Sequence, residues 1–481
     1  MVEKLNKVKI QLPKTPTGIK GLDTITLGGL PKGRTTLVCG KAGCGKTLLG
    51  MEFLAHGASE YNEPGVFLSF EETVDDLIQN TESLGFGIKE LINDRKLVID
   101  HVHIERNEMQ ETGEYNLEGL FIRLAYAIDS IGANRVVLDT IETLFGGLSN
   151  PSIIRAELKR LFVWLKQKGV TSIVTAESGK DSITRSGIDE YVSDCVLILD
   201  HRIVDQLSTR RIRIAKYRGS SHGTNEYPFL IDVNGISVLP LSSLTLDHMA
   251  HEERIPSGID ELDEMLGGAG YYRGSSILIS GAAGCGKSSM AAHFADATCR
   301  RGERCLMFLF EESPSQLLRN MRSIGFDLEQ WESKGLLKLL ANRPTRYGLE
   351  MHLVQMIQEI EAHHPDVVVF DPISSFWRND KSLEIEAMLA RTVDFLKSKG
   401  ITAMMLNLNS GGEYMEHTNS NVSSVIDTWL LLRNVEQNGQ KNRNLYIIKS
   451  RGMSHSNKIR KFMITNDGIQ VSDVERVKKE E

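Results

Sequence analysis

Cysteine is scarce. There are six in 481 residues, at positions 39, 44, 195, 285, 299 and 305, and no Cys-x-x-Cys pair occurs. That spacing excludes a zinc ribbon, and a disulfide framework is not expected in a chain this long. No apolar run of about 18 residues is present, so no membrane-spanning helix is expected. The first residues carry lysines with no apolar stretch behind them, so no secretory leader is expected and the reading is cytoplasmic. Positive charge is not in excess either. Lys and Arg total 56 against 63 acids, for a net charge of −7. That balance is not the footprint of a dedicated nucleic-acid binder, and no stretch interleaves basic with aromatic residues.

What the chain does have, it has twice. Gly40-Lys41-Ala42-Gly43-Cys44-Gly45-Lys46-Thr47 follows the apolar run Thr35 to Cys39 and opens a helical pattern from Leu48 to His56. Gly281-Ala282-Ala283-Gly284-Cys285-Gly286-Lys287-Ser288 follows Ser276 to Ser280 and opens a second helix. Strand, glycine-rich loop, helix is the context that a phosphate-binding loop requires. Other marks repeat in order. Val66 to Phe70 runs into Glu71-Glu72, and Phe308 to Phe310 into Glu311-Glu312. Arg135 to Leu138 runs into Asp139, and Val367 to Phe370 into Asp371. Lys216-Tyr217-Arg218-Gly219-Ser220-Ser221-His222 returns as Lys449-Ser450-Arg451-Gly452-Met453-Ser454-His455. The loops lie 241 residues apart and the late strings 233, so only small insertions separate the copies.

Strands alternate with helices in each copy, which predicts an α/β fold with a mostly parallel sheet covered by helices on both faces. The domains are read as 1–245 and 246–481, with a polar linker near Leu239–Glu253. Thr17 to Asp23 reads as an N-capped helical turn, repeated from Ser257 to Asp263.

Backbone N–H groups of such a loop, with a helix N-terminus behind them, cradle phosphate oxygens. This assigns Gly40, Gly43, Cys44, Gly45, Lys46, Thr47 and Leu48 to a nucleotide in the first copy. The second copy offers Gly281, Gly284, Cys285, Gly286, Lys287, Ser288 and Ser289. Lys46 and Lys287 suit the β- and γ-phosphates of ATP, and Thr47 and Ser288 supply a hydroxyl to Mg²⁺. Asp139 and Asp371 suit the Mg²⁺ shell, directly or through water. The two loop cysteines read as small residues in a tight turn; a redox-sensitive thiol is the sharper alternative. The Glu71-Glu72 and Glu311-Glu312 pairs fall near the carboxyl edge of the sheet, where a carboxylate can activate an attacking oxygen. They are read as one catalytic and one helix-capping residue in each pair, the cap being favoured by the helix dipole. Lys216, Arg218, Lys449 and Arg451 read as a charge clamp on the γ-phosphate of a neighbouring subunit, and His222 and His455, which close the repeated strings, are further nucleotide-binding candidates.

The copies differ at one telling place. Aligning Asp194 with Asp427 keeps 22 residues to Lys216 and to Lys449, and sets Glu190-Tyr191 against Ser423-Ser424. One copy has a carboxylate where the other has hydroxyls that can accept a phosphoryl group. The bland alternative is an ordinary polar loop.

With these motifs in place, the chain resembles the KaiC family, double-domain RecA-like ATPases of the cyanobacterial circadian clock and of other prokaryotes. The resemblance runs from Pro16 to about Gly468. It includes both phosphate loops, both Glu pairs, both Lys-x-Arg-Gly strings, Glu226-Tyr227-Pro228-Phe229, and Asn421 to Thr428, which is similar to the family's phosphorylation loop. It implies a homohexameric double ring with ATP at the subunit interfaces. It also implies slow hydrolysis in the first domain, with Glu71 and Glu72 poising water. Serine autokinase activity is implied in the second, with Glu311 or Glu312 as base and Ser423 or Ser424 of the adjacent subunit as acceptor. Thr418 matches a further family residue near that pair. The acceptor pair is Ser-Ser here, where the clock protein has Ser-Thr. The longer C-terminal tail that engages KaiA is essentially missing, which argues against dependence on KaiA and leaves a KaiB-like protein as the candidate partner. Two rivals remain: a RecA-like DNA-dependent ATPase, and a non-catalytic scaffold whose rings use ATP as interface glue.

Overall fold

The computed structural model describes residues 12–103, 117–145, 150–179, 184, 192–204, 207–233, 235–240, 251–344, 348–377, 382–409, 425–437, 440–466 and 468–474. The chain divides into two compact units, Met1–Ser243 and Leu244–Glu481.

The first unit is built on nine strands: β1 Thr35–Gly40, β2 Gly65–Ser69, β3 Leu97–His101, β4 Arg135–Asp139, β5 Thr171–Glu177, β6 Cys195–Val204, β7 Leu207–Tyr217, β8 Glu226–Asp232 and β9 Gly235–Val238. Their order in the sheet is β9-β8-β7-β6-β1-β5-β4-β2-β3. The six strands from β6 to β3 run parallel, and β7, β8 and β9 extend the sheet antiparallel. Helices α1 Lys46–Glu60, α2 Val74–Glu82, α3 Glu118–Ile131 and α4 Pro151–Gln167 are among those that cover it. All six residues of β1 are buried. Val38 faces one apolar cluster, while Leu37 and Cys39 face another on the opposite side. A strand buried on both faces must read as a continuous apolar run, which is why this strand was legible.

The second unit repeats the plan with β10 Ser276–Gly281, β11 Cys305–Leu309, β12 Leu337–Ala341, β13 Val367–Asp371, β14 Thr402–Leu408, β15 Thr428–Gln437, β16 Gln440–Ser450, β17 Arg460–Thr465 and β18 Gly468–Asp473. The order β18-β17-β16-β15-β10-β14-β13-β11-β12 reproduces the first sheet strand for strand. Helices α5 Lys287–Arg300, α6 Pro314–Arg322, α7 Leu349–His363 and α8 Ser382–Ser398 take the corresponding places.

Two local expectations are corrected. Thr17 does not cap the first short helix, Leu22–Ile25, which begins after Gly21 with no side-chain cap. Instead the Asp23 carboxylate receives the Thr17 N–H at 2.9 Å and its hydroxyl at 2.8 Å. Asp263 takes the Ser257 N–H at 2.9 Å in the same way. Nor does either glutamate pair cap a helix. Thr73 caps α2, accepting from the Asp76 N–H. Ser313 caps α6 in a reciprocal arrangement with Gln316, with Pro314 at the first helical position. A short hydroxyl side chain at the cap reaches the exposed N–H groups of the first turn better than a longer carboxylate one or two residues earlier. Both glutamates of each pair are thereby left outside the helix.

One irregularity recurs. Between β6 and β7 the register shifts at Val196/Leu197, so Ala215 is an extra residue; between β15 and β16 it shifts at Trp429/Leu430, leaving Ile448 extra. Each bulge falls one residue before the lysine of a Lys-x-Arg-Gly string, and bulges re-aim the side chains that follow.

Candidate nucleotide-binding sites

Gly40 ends β1, and a Cβ placed there would come within 2.6 Å of the Leu199 carbonyl oxygen. Only glycine fits at so close an approach. The turn that follows needs left-handed backbone at Gly43 (φ 74°) and Gly45 (φ 102°), and the second loop repeats this at Gly284 (70°) and Gly286 (102°). The helix then starts at Lys46, 8% exposed, whose Nζ donates to the carbonyls of Gly40 (2.8 Å) and Lys41 (3.1 Å). Lys287 donates to Gly281 and Ala282, both at 2.9 Å. The ammonium is thus stored inside the loop whose N–H groups form a phosphate cradle. Cys44 and Cys285 are fully buried beneath the loops. Burial pushes the Cys44 thiol up, away from the reactive thiolate.

Beside each loop stands the strand-end aspartate. Thr47 Oγ1 donates to Asp139 Oδ2 at 2.7 Å, and Thr175 Oγ1 donates to Asp139 Oδ1. Burial pushes the Asp139 carboxyl up, opposed by these two hydroxyls and by Lys46, and Glu71 adds to the rise. In the second unit burial pushes the Asp371 carboxyl up to about 6, opposed by the nearby Ser288 hydroxyl and Lys287, with Glu312 and Glu311 adding to the rise. Loop lysine, loop hydroxyl, aspartate and glutamates therefore feel one another in both units. Among the described residues no group of three or more His, Cys, Asp or Glu forms a metal cage. A hydroxyl beside one carboxylate at a phosphate cradle fits Mg²⁺, which keeps waters and takes its remaining ligands from phosphates.

The glutamates differ in how they are held. Glu71 Oε1 accepts from Thr140 Oγ1 (3.0 Å) and Thr143 Oγ1 (2.8 Å). Glu72 Oε2 accepts from Asn80 Nδ2 at 3.2 Å. Glu311 Oε1 accepts from Ser375 Oγ at 2.9 Å. Both pairs leave β2 or β11 at the edge where the phosphate loop lies, tied there by Phe70 N–H to Asp139 O and Phe310 N–H to Asp371 O, each 2.8 Å. Thr140, Thr143, Thr175 and Ser375 were not singled out from the sequence. Comparing the copies would have marked two of them. Strand register sets Thr175 against Leu406, and the shared strand end sets Thr140 against Pro372.

The Lys-x-Arg-Gly strings lie elsewhere. Lys216 pairs with Val196 and Lys449 with Trp429, near the starts of β6 and β15. Because those strands run parallel to β1 and β10, the strings sit at the amino edge of each sheet, opposite the phosphate loop of their own unit. Arg218 and Arg451 are exposed there, each tied through its N–H to the Asp194 or Asp427 carbonyl at 2.9 Å. Asp194 lies 3.5 Å from Arg34 and 3.9 Å from Arg218. Asp427 lies 2.7 Å from Lys397 and accepts from Ser276 N–H (2.9 Å) and Oγ (2.8 Å). Burial pushes the Asp427 carboxyl up, and these partners more than reverse it, leaving it below its usual value. His222 and His455 are half-buried beside their strings. Ser423, Ser424, Thr418, Glu190 and Tyr191 lie outside the described residues.

Twice in one chain, then, a sheet edge gathers a phosphate cradle, a hydroxyl–carboxylate pair suited to a divalent cation, and a carboxylate facing them. That arrangement defines a tandem phosphate-loop ATPase. The family model for the KaiC ATPase matches residues 15–243 and 255–476, and the chain belongs to that family. It is 54% identical over 468 residues to a protein of Synechocystis sp. named circadian clock protein KaiC2, covering 97% of this chain and 82% of that one. It is 39% identical over 467 residues to the circadian clock oscillator protein KaiC of Parathermosynechococcus lividus, covering 96% and 86%. With that of Thermosynechococcus vestitus it shares 38% over 468 residues, covering 96% and 90%. Among the described residues no helix is long and apolar enough to cross a membrane.

Proposed function

We propose that the chain is a cytoplasmic, Mg²⁺-dependent ring ATPase in which the first unit hydrolyses ATP and the second transfers phosphoryl to serine. The rings are homohexamers with ATP between subunits, they serve timing or signalling, and a KaiB-like protein is the candidate partner. A role on nucleic acid is not proposed.

The observation that carries this reading is the position of Val425, which follows Ser424 in the chain. Its carbonyl accepts from Ser276 Oγ at 3.1 Å, at the start of β10. The phosphate loop begins at the other end of that strand, at Gly281, roughly 16 Å away at about 3.3 Å per residue. Ser423 and Ser424 immediately precede Val425 in the chain, and the reading takes them to serve a phosphate loop other than that of their own unit. Lys449 and Arg451 share that amino edge. Acceptor and cations therefore serve a nucleotide held by a second copy, which is what a ring supplies.

The chemistry then divides by residue. In the second unit the seryl oxygen attacks the γ-phosphorus, its proton passes to Glu311 or Glu312, and the bond to the β-phosphate oxygen breaks to release ADP. Lys287 neutralises charge on the β- and γ-oxygens, and Lys449 and Arg451 of the neighbour do so from across the interface. In the first unit water takes the place of serine, and Glu71, fixed by two threonines, or Glu72, held by Asn80, orients it. Thr47 with Asp139, and Ser288 with Asp371, would hold Mg²⁺, which supplies charge neutralisation at the phosphates.

Phosphopeptide analysis after incubation with Mg·ATP tests this, run beside a Glu311→Gln/Glu312→Gln double variant. Phosphate on Ser423 or Ser424, lost in the variant, is the expected result. Unmodified protein that still turns over ATP would reduce the second unit to a plain ATPase. ATP-dependent rings with neither phosphoserine nor turnover would leave the scaffold reading.

A further inference from the structure

Asp139 and Asp371 occupy the same place in the two sheets, yet they are anchored differently. Asp139 receives two hydroxyls. One belongs to Thr47, on the phosphate-loop side, and its oxygen must turn toward a cation when one binds. The other belongs to Thr175, fully buried in β5 opposite Val38 of β1. That hydroxyl is buried within the sheet, and its bond to Oδ1 need not change when the cation arrives. The matching residue of β14 is Leu406, fully buried opposite Ile279 of β10. A leucine side chain donates nothing. The hydroxyl that acts on Asp371 is that of Ser288, itself the residue that a cation would recruit.

We propose that Thr175 is a positioning residue for the divalent cation of the first unit, and that Leu406 in its place leaves the second unit the weaker cation site. This rests on the reading that both loops bind Mg·ATP. A ligating carboxylate whose free oxygen is held by an outer partner is presented in one orientation, and removing such a partner weakens metal binding by about 10- to 100-fold. Asp139 is pre-set by Thr175, whereas Asp371 must be ordered by the cation itself. The first unit accordingly keeps its nucleotide complex at cation concentrations where the second exchanges.

Mn²⁺ serves as the probe, followed by electron paramagnetic resonance of the full-length chain saturated with a non-hydrolysable ATP analogue, so that turnover does not enter. Wild type is expected to show two classes of protein-bound Mn²⁺ per chain, one tight and one weak. Thr175→Val is expected to weaken the tight class by about 10- to 100-fold, and Thr175→Ser, which keeps the hydroxyl, to leave it tight. Leu406→Thr is expected to tighten the weak class by a similar factor, and it decides the matter if Thr175→Val does not fold. One class in wild type, an unmoved tight class in Thr175→Val, or an unmoved weak class in Leu406→Thr overturns the proposal while leaving the nucleotide sites in place. Absence of any nucleotide-dependent Mn²⁺ binding overturns the nucleotide-site reading beneath it.

Discussion

At the end of β4, Asp139 meets Thr47 and Thr175, and nearby Glu71 meets Thr140 and Thr143. At the end of β13, Asp371 meets Ser288, and Glu311 meets Ser375. Leu406 and Pro372 stand where two of the threonines were and carry no hydroxyl. The backbone plan is the same in both units; the restraint on the carboxylates is not. Water is small and mobile, so a hydrolytic site gains by holding its carboxylate in one orientation. A site that receives a protein hydroxyl positions its nucleophile through the protein and tolerates a looser base. On the proposed division, the same strands support two reactions by changing which side chains hold the acids.

A second contrast lies under the sheets and gives the largest expected effect. Arg135 is fully buried in the first unit, with bonds to Glu63 (2.7 Å), Phe53 O (2.8 Å) and Pro16 O (2.9 Å). Strand register puts Val367 in that place in the second unit. Arg135→Met is expected to cost about 3 kcal/mol, because it removes three hydrogen bonds made by a fully buried guanidinium, one of them to a carboxylate. In calorimetry the first unit's transition falls by roughly 6–12 °C, and the second is unmoved. Equal shifts in both would mean that the units melt as one.

The hydroxyl contrast comes next. Thr140→Val with Thr143→Val removes two donors from Glu71, at about 1 kcal/mol each. ATP turnover is expected to fall roughly 30-fold while nucleotide binding holds. Unchanged turnover would move the catalytic role to Glu72. Ser375→Ala removes one donor from Glu311 and is expected to slow serine phosphorylation about fivefold, with ATP turnover by the first unit unaltered.

The smallest effect is on pH dependence. His56 bridges Glu52 (3.5 Å) and Glu60 (2.5 Å), and its bond to Glu52 first, with Glu60 adding, holds the imidazolium above its usual range. The folded unit then binds this proton more tightly than the unfolded chain. Its contribution is complete below about pH 6.5 and is lost as pH rises through the raised value. In the second unit the equivalent residue is Ala297. The first unit's melting temperature is expected to decline above about pH 6.5, and His56→Ala to remove that decline. A slope that survives the substitution assigns it to another group.

The duplication, the α/β class and the residues of both loops were legible because their causes are local. A buried parallel strand must be an apolar run, and a phosphate cradle must have glycines at fixed steps. Asp139 and Asp371 were legible because repetition lifted an ordinary strand-end acid above chance. Thr140, Thr143 and Thr175 were not, since a threonine in an apolar strand or a short turn reads as strand propensity or a cap. Their role depends on which strands lie side by side, and β5 reaches β4 only through the crossover order of the sheet. The glutamate pairs were placed correctly along the chain but misread as partly capping, because Thr73 and Ser313 compete better for the first turn. The bulges at Ala215 and Ile448 left no mark in the sequence.

The proposed division of labour between the units is tested most directly by removing one loop lysine at a time and reading both reactions in each variant. Lys46→Ala should abolish most ATP hydrolysis while phosphate still accumulates on Ser423 or Ser424. Lys287→Ala should abolish that phosphate while hydrolysis continues. If one of these variants loses both reactions and the other loses neither, the two units do not carry separate chemistries and the account is wrong.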